Sequence, residues 1–343
     1  MEHLISEFNE AIKDVANCYI ENGLVCIGGK YWEPTDILKQ FSETTYKEVF
    51  DNWLSDRQEY LLQIADEFLA EFNQQERFNK LKQCFSSNTV IPFVGAGLSN
   101  PSGYPMWTSF LKKLVIHTKI SPETLDRKLD AGEYEEIAQE LADQLGPIFS
   151  EQIENTFGDK KEIKGVVQLL PYLFNCPVIT TNYDSLLKRC YDAKNIHFDE
   201  VISGHQASEI TRFLAAGQRV LIKLHGTALS GKGRVLTLNE YKEHYEQNTV
   251  LESVIAAVCR KTILFLGCSL SIDRTIKAME LYAESSGHDN VPRHYAFLKD
   301  PELQSLRNEK SRMLGKANIY PIWYSGGDHD QAIEALLQKL GSK

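Results

Sequence analysis

The stretch of sequence that decides the fold is TVIPFVGAGLS, residues 89–99. Its first half is a short apolar run that ends in glycines, which is typical of a strand buried on both faces of a sheet. Its second half places Gly95, Ala96 and Gly97 directly after that strand. Glycines let a backbone approach phosphate closely, and a following helix offers free N–H groups and the positive end of its dipole. The stretch therefore predicts a strand and turn of the nucleotide-binding type.

Two interpretations of this glycine turn remain open. It is either a pyrophosphate-binding loop or a tight connection with no ligand, because two nearby glycines are a weak motif. No third glycine stands at the GxGxxG spacing, which argues against a hydride-transferring dehydrogenase. The next stretch, NPSGYPMW at residues 100–107, predicts a structured loop that covers a nucleotide, with Trp107 starting the helix behind it.

Further apolar runs downstream have the same strand-like character. Their sequences are PVITTN, RVLIKLHG, KTILFLG, HYAFLK and NIYPIWY. Helices are predicted between them, over residues 107–117 and 133–157, and the last stretch, DQAIEALLQKL, predicts a terminal helix. Short apolar strands that alternate with helices indicate the α/β class. We expect a Rossmann-like parallel sheet with helices on both faces.

The first 84 residues have a different character. Apolar residues recur at helical spacing over residues 4–19 and 49–72, and a short β-like piece with a Gly-Gly turn, LVCIGGKYWEP, lies between them. We therefore expect a mainly helical N-terminal region over residues 1–84, followed by an α/β domain over residues 85–343. The apolar stripes form either the core of this region or a contact with an oligomer mate or a partner protein.

Small and polar residues follow four of the predicted strands. In a parallel sheet, ligands bind beyond the carboxyl ends of the strands. Each strand end is a weak signal by itself, but their shared position predicts one common binding site. The four segments are Gly95-Ala96-Gly97-Leu98-Ser99, Thr181-Asn182-Tyr183-Asp184, His225-Gly226 and Gly267-Cys268-Ser269.

Composition narrows the class of protein. Acidic residues outnumber basic ones by 47 to 37 and are spread along the chain, which argues against direct nucleic-acid binding or binding to an anionic membrane. The seven cysteines include no CxxC pair, so they predict reduced thiols rather than a disulfide framework or zinc ribbon. The acidic start of the chain has no signal-peptide pattern, and no apolar run approaches membrane-spanning length. We expect a cytoplasmic protein.

The strand-end motifs together carry a family resemblance. GAGLS, GYPMW, TTNYD, KLHG and GCSLSID, in this order, resemble the sirtuin superfamily. They are closer still to the sirtuin-like domains of bacterial antiphage defence systems, and the similarity covers roughly residues 86–325. The resemblance implies NAD+ binding and makes Asn182 and His225 the catalytic pair. In this family the asparagine orients water or the nicotinamide ribose, and the histidine is the general base.

The resemblance also implies a set of NAD+-binding residues. Asp184 has an open alternative, because it could instead cap the helix that follows it. Asp273 is expected to cap a helix that begins near Arg274, with contact to the adenosine ribose as the alternative. The implied binding residues are Gly95, Ala96, Gly97, Ser99, Trp107, Thr181, Asp184, Gly267 and Ser269.

The catalytic residue types suit cleavage of a glycosidic bond to a pyridinium. Nicotinamide leaves as a neutral molecule, so its departure needs little protonation. What helps is to hold the ribose as it becomes cationic and to place water on its free face. The amide of Asn182 can hold a hydroxyl or water without adding charge. The imidazole of His225 titrates near neutral pH and can accept a proton.

One departure from the sirtuin protein deacylases concerns the acceptor. Those enzymes carry a four-cysteine zinc module after the catalytic His-Gly, whereas this chain has no cysteine between Cys190 and Cys259. We therefore expect no metal, and we expect water as the acceptor. The expected activity is that of an NAD+ glycohydrolase, an antiphage defence effector that releases nicotinamide and ADP-ribose and depletes cellular NAD+.

Two other functions stay open at this point. One is a zinc-free NAD-dependent deacylase or ADP-ribosyltransferase. The other is a non-catalytic subunit that binds NAD or ADP-ribose within a larger assembly. Because an unregulated NAD+ hydrolase would be toxic, we expect control through a homo-oligomer, through the N-terminal helices or through a separate protein. The defence-system resemblance suggests a HerA-like ATPase as such a partner.

Overall fold

The computed structural model of this chain describes residues 4–17, 24–203, 209–231, 233–247, 250–270 and 274–342. The chain forms two compact units, residues 1–65 and 66–343, and the boundary falls inside a long helix. The elements that begin in the first unit are α1 (Ile5–Asn17), β1 (Val25–Ile27), β2 (Lys30–Trp32), α2 (Pro34–Phe41) and α3 (Glu43–Glu71).

The first unit combines helices with one short antiparallel hairpin. Strands β1 and β2 are joined by Gly28 and Gly29, whose φ angles are 59° and 77°. A two-residue hairpin turn with both φ angles positive has the twist that fits flanking strands, and glycine adopts it without strain. Phe8 of α1 is fully buried and packs edge-on against the rings of Tyr46 and Phe50 of α3. Part of the apolar stripe therefore forms an internal core.

The second unit contains the α/β domain. Its helices are α4 (Gln75–Ser86), α5 (Trp107–Val115), α6 (Pro122–Asp130), α7 (Tyr134–Leu145), α8 (Pro147–Phe157), α9 (Leu170–Leu173), α10 (Leu186–Asp192), α11 (Ile210–Ala215), α12 (Leu238–Tyr241), α13 (Val250–Val258), α14 (Arg274–Ser286), α15 (Gln304–Lys316) and α16 (His329–Gly341). Its strands are β3 (Val90–Val94), β4 (Val178–Thr180), β5 (Glu200–Ser203), β6 (Val220–Lys223), β7 (Thr262–Leu266), β8 (His294–Lys299) and β9 (Ile319–Tyr324). Within the described ranges, no helix is both long and apolar enough to cross a membrane.

The sheet of the second unit is parallel throughout. In the described part of the chain it has seven strands in the order β5-β6-β4-β3-β7-β8-β9. Every residue of β3 and β7 is buried, as expected for strands covered by helices on both faces. The predicted α/β class and parallel sheet are confirmed. The chain adds β4 on one side of β3 and later adds β7 on the other side. The direction in which strands are added therefore reverses between β3 and β7, which is where ligands of open α/β sheets bind.

Some local predictions were wrong. The helix predicted over residues 133–157 is two helices, α7 and α8, because Gly146 has a φ of 57° and Pro147 starts a new helix. Strand β5 was not predicted, since its four residues have only one buried side chain. Helix α6 was also missed. Its apolar residues are few, and Ser121 caps it by accepting a hydrogen bond from the Thr124 N–H.

The outer edge of the sheet at β9 is occupied by side chains. Gln74 Nε2 donates to the Trp323 carbonyl at 2.6 Å, and the Trp323 N–H donates to Gln74 Oε1 at 2.9 Å. Pro321 lies two residues before Trp323 on β9, and its carbonyl accepts a hydrogen bond from the Arg77 guanidinium. Backbone groups two residues apart on a strand point the same way, so the missing N–H of Pro321 also lies on this edge. Unpaired backbone N–H and C=O groups at a sheet edge can pair with a strand of another molecule. Here the groups of Pro321 and Trp323 are paired with side chains instead.

Candidate active site

A cavity of about 410 Å³ lies at the carboxyl ends of β6, β4, β3 and β7. These four strands are consecutive in the sheet, so the segments that follow them meet at one edge. All but one of the residues that the sequence assigns to the site line this cavity. They are Gly95, Ala96, Ser99, Trp107, Thr181, Asn182, Asp184, His225, Gly267 and Ser269. The remaining one, Gly97, is not part of the lining and packs against Gly267.

The glycines of the first loop interlock with the loop after β7. The Gly97 N–H donates to the Gly267 carbonyl at 2.9 Å, and a Cβ on Gly97 would lie 2.8 Å from that same oxygen. A Cβ on Gly95 would lie 2.6 Å from it, and Gly267 itself has a φ of 65°. Glycine is therefore required here by contact between two backbones, a reason for the motif that is independent of any phosphate.

A single turn of 3₁₀ helix, Ala96–Leu98, follows β3. The backbone N–H groups of Gly95, Gly97 and Leu98 already donate to carbonyls of the protein. The loop therefore does not present the row of free N–H groups that a long helix starting here would offer. The long helix starts at Trp107, as predicted, after a loop whose Tyr104 and Met106 also line the cavity.

The side chain of Asn182 is fixed by the glycine loop. Its Nδ2 donates to the Gly95 carbonyl and to Ser99 Oγ, each at 3.0 Å. The Asn182 backbone N–H donates to Thr180 Oγ1 at 3.0 Å, which in turn bonds to the Val94 carbonyl. Both amide hydrogens are used in this way, whereas none of the described residues donates a hydrogen bond to Asn182 Oδ1. It is the group this side chain can offer to a ligand or a water.

Asp184 and a buried lysine lie next to this loop. Asp184 Oδ1 accepts a hydrogen bond from the Leu186 N–H at 2.9 Å, so the carboxylate caps the start of α10 while it also lines the cavity. Lys223 of β6 is buried, and its Nζ donates to the Asp184 carbonyl at 2.6 Å. Burial lowers the pKa of Lys223 to about 8, against a smaller opposing effect of the Asp184 charge. Lys223 was not among the predicted site residues.

His225 follows β6 and contacts aromatic residues of the segment after it. Its Nε2 is hydrogen-bonded to Tyr245 Oη at 3.0 Å, and that hydroxyl lies 3.4 Å from Thr275 Oγ1. The His225 ring also meets Tyr241 edge-on, with ring centroids 5.5 Å apart. Tyr245 lies on a stretch of π-helix, Lys242–Gln247, a geometry that often marks functional sites. The protein thus orients the imidazole and gives one nitrogen a hydroxyl partner.

One wall of the cavity is aromatic. Trp107 lies 5.7 Å from Tyr183 and 6.2 Å from Phe157, measured between ring centroids. The Tyr183 hydroxyl donates to the Val235 carbonyl at 2.5 Å, which holds the segment after His225 against this wall. A flat heteroaromatic ring can stack on such a surface.

The cavity also contains a charged pair that the sequence did not reveal. Arg274 Nε donates to both carboxylate oxygens of Glu135, at 2.9 and 3.0 Å, and both residues line the cavity. A second cation, Lys310, donates to the Ser269 carbonyl at 2.6 Å, and burial lowers its pKa. Glu135 and Lys310 come from α7 and α15, far in sequence from the strand-end motifs, whereas Arg274 begins α14 directly after the GCSLSID motif. Asp273, expected to cap α14, lies outside the described residues.

The segment after His225 stands where the deacylases carry their zinc module. Gly226 has a φ of 78°, and the Val235 N–H donates to the His225 carbonyl at 3.1 Å, so the chain turns back on itself. Thr237 then caps α12 in a reciprocal capping box with Glu240. Among the residues that the structure describes, no group of three or more His, Cys, Asp or Glu could hold a metal ion.

Comparisons with known proteins agree with the motifs. Residues 177–322 match the family model for a SIR2-like domain. The chain is 22% identical over 246 residues to an NAD(+) hydrolase, ThsA, from Acinetobacter baumannii, a match covering 71% of this chain and 49% of that protein. It is 24% identical over 263 residues to Defense-associated sirtuin 2 from Bacillus subtilis, covering 73% of this chain and 25% of that protein. The chain thus spans at most about half of either relative, and its sirtuin-like character is confirmed.

Proposed function

We propose that this chain is an NAD+ glycohydrolase that acts in antiphage defence by depleting cellular NAD+. The observation that carries the proposal is the placement of Asn182 and His225 on one cavity, at the ends of the neighbouring strands β4 and β6. An aromatic wall and a charged pair complete a cavity suited to a dinucleotide with a flat cationic ring. The names of the two relatives, an NAD(+) hydrolase and a defence sirtuin, support the same activity.

The proposed reaction breaks the bond between C1′ of the ribose and the nicotinamide nitrogen. The bonding electron pair stays on that nitrogen, so nicotinamide leaves neutral. A water oxygen forms the new bond to C1′, and the proton of that water passes to His225. Asn182, held by Gly95 and Ser99, presents Oδ1 to the water or to a ribose hydroxyl. The products are nicotinamide, ADP-ribose and one proton.

The test is to incubate the purified protein with NAD+ and to separate the products by liquid chromatography. We expect equal amounts of nicotinamide and ADP-ribose from the wild type. Asn182→Ala and His225→Ala should each lower the rate by about 100-fold or more, in line with loss of a positioned acid–base group. His117→Ala, a change at an exposed histidine, is the matched control. Undiminished activity in both site variants would refute the assignment of these two residues.

The remaining site residues belong to the same proposal. Gly95, Ala96, Ser99 and Thr181 would bind NAD+ where they line the cavity, together with Trp107, Asp184, Gly267 and Ser269. Gly97 would contribute by setting the position of the loop through its contact with Gly267. Water is favoured over an acyl-lysine or protein acceptor because the segment after His225 forms a short turn and a capped helix in place of a zinc module.

We further propose that residues 85–343 form the NAD-binding catalytic domain and that residues 1–84 make an oligomer or partner contact in the cytoplasm. Large apolar side chains exposed in the first unit support such a contact. They are Val15, Ile27, Tyr31, Phe41 and Tyr60. The simplest partner is a second copy of this chain, and a HerA-like ATPase is the proposed regulatory protein. Light scattering coupled to size exclusion tests the homo-oligomer.

A further inference from the structure

The Glu135–Arg274 pair joins two separate walls of the cavity. Glu135 lies in the first turn of α7, and Arg274 is the first residue of α14. In addition to the two bonds from Nε, Arg274 Nη2 lies 2.8 Å from Glu135 Oε2. The Arg274 side chain is 26% exposed and the Glu135 side chain is 21% exposed. The pair is therefore partly shielded yet still within reach of a molecule that enters the cavity.

The chemistry of this pair matters for an anionic ligand. The planar guanidinium fork of arginine binds carboxylates and phosphates with the same geometry. Glu135 occupies the fork of Arg274, and a ligand phosphate would have to displace it. The Arg274 guanidinium also lies 5.5 Å from the centre of the Tyr241 ring. This contact would keep the guanidinium aimed at the cavity after Glu135 is displaced.

We propose that Arg274 recognises the diphosphate of the dinucleotide and that Glu135 acts as a latch that lowers the affinity until the diphosphate displaces it. The inference rests on the proposed function in taking a dinucleotide as the ligand. Binding then exchanges one anionic partner of Arg274 for another and frees Glu135 from α14. The pair would thus connect occupancy of the cavity to the spacing of α7 and α14.

The test measures binding of ADP-ribose by calorimetry at low ionic strength. Glu135→Gln keeps the shape of the side chain but removes its charge, so we expect it to bind ADP-ribose about tenfold more tightly than the wild type. Arg274→Gln should bind about tenfold more weakly, and the double variant should show no gain. Arg274→Lys, which keeps the charge without the fork, should fall between the wild type and Arg274→Gln.

Controls separate the latch from other effects. Glu76→Gln removes a carboxylate from an exposed pair with Lys80 outside the cavity lining and should bind like the wild type. Adenosine lacks a diphosphate, so Glu135→Gln should bind it no better than the wild type does. An equal gain for adenosine would mean a steric gate and overturn the diphosphate assignment. No gain for ADP-ribose in Glu135→Gln, or no ADP-ribose binding by any variant, would overturn the proposal.

The outcome is distinguishable from that of the proposed function. ADP-ribose is the proposed product, so its binding can be measured whether or not the protein cleaves NAD+. Tighter binding by Glu135→Gln in a protein that never releases nicotinamide would support the latch and count against the hydrolase. Hydrolysis that depends on Asn182 and His225, with unchanged binding in Glu135→Gln, would refute the latch alone.

Discussion

His294, the first residue of β8, is a buried base with a clear effect on stability. Its Nδ1 accepts a hydrogen bond from the Ile263 N–H at 3.1 Å, so the proton of the neutral ring sits on Nε2. Within the described part of the chain, Nε2 has no hydrogen-bond partner. The side chain is fully buried, and burial lowers its pKa from 6.5 to about 3. The folded protein therefore holds this ring in its neutral form.

This burial predicts a loss of stability in acid. Between pH 6.5 and pH 3 the unfolded chain binds a proton at His294 that the folded chain does not bind. Stability is therefore lost as the pH falls through this window, by about 2 kcal/mol between pH 8 and pH 5. Urea unfolding at the two pH values measures the loss. His294→Asn should lose that much less stability than the wild type over the same interval, whatever its stability at pH 8.

The exposed His117 supplies the comparison, since His117→Asn should keep the wild-type pH dependence. If His294→Asn and His117→Asn show the same loss between pH 8 and pH 5, the buried ring is not the cause.

Single residues of the site differ in how well the sequence reveals them. Asn182 and His225 could be found because each follows a strand that the apolar pattern predicts, and parallel strands end at the same edge. Glu135 and Tyr245 could not be found in this way. They come from helices, and only the packing of those helices brings them to the cavity. Lys223 reads as an ordinary strand residue, and its buried contact with the Asp184 carbonyl depends on the loop after the neighbouring strand.

At the scale of elements, the predictable parts are those with strong apolar periodicity. Strands β3, β4 and β6 to β9 are buried runs and were predicted, and the terminal helix α16 was predicted as well. Strand β5 is a short edge strand with little apolar content, so its pairing with β6 decides its conformation. Gly146 and Pro147 are residue types that interrupt helices, and α7 ends and α8 begins there. The helical periodicity on both sides nevertheless predicts one continuous helix.

The edge of β9 supports a prediction about one loop. Gln74 acts as a substitute for a neighbouring strand, because its amide both donates to and accepts from the backbone of Trp323. Gln74→Ala leaves a buried N–H and a buried carbonyl without these partners. We expect a loss of about 2 to 3 kcal/mol in the free energy of unfolding, measured by urea denaturation. Hydrogen exchange at the Trp323 amide should also become faster.

The neighbouring residue offers a matched control. Gln75 is exposed and bonds to Asn79 on its own helix. Gln75→Ala should therefore change stability by no more than about 0.5 kcal/mol. Equal effects of the two substitutions would show that the edge contact contributes nothing of its own.

At the scale of the whole molecule, the proposed oligomer can be tested through the first unit. Tyr31 and Phe41 are 72% and 75% exposed, so both side chains are accessible to another molecule. If these side chains form a contact between copies, Tyr31→Ser combined with Phe41→Ser should shift the molar mass from that of an oligomer towards that of one chain. Light scattering coupled to size exclusion measures this shift.

An exposed apolar residue of the second unit provides the control. Ile116 is 78% exposed, and Ile116→Ser should leave the assembly unchanged. A wild-type protein that elutes as a monomer at all concentrations tested would refute the homo-oligomer. An oligomer that survives the double substitution would place the contact elsewhere.

The interlocked loops of Gly95, Gly97 and Gly267 limit how this cavity can change by substitution. A side chain added at any one of the three positions meets backbone atoms of the facing loop, so no single substitution there is neutral. Single substitutions at these loop positions therefore disturb the backbone. A change of ligand preference has to come from substitutions in the side walls of the cavity. Trp107, Tyr241 and Arg274 lie on such walls, on helices α5, α12 and α14. We expect related chains to keep the three glycines and, where the ligand differs, to differ at these wall positions.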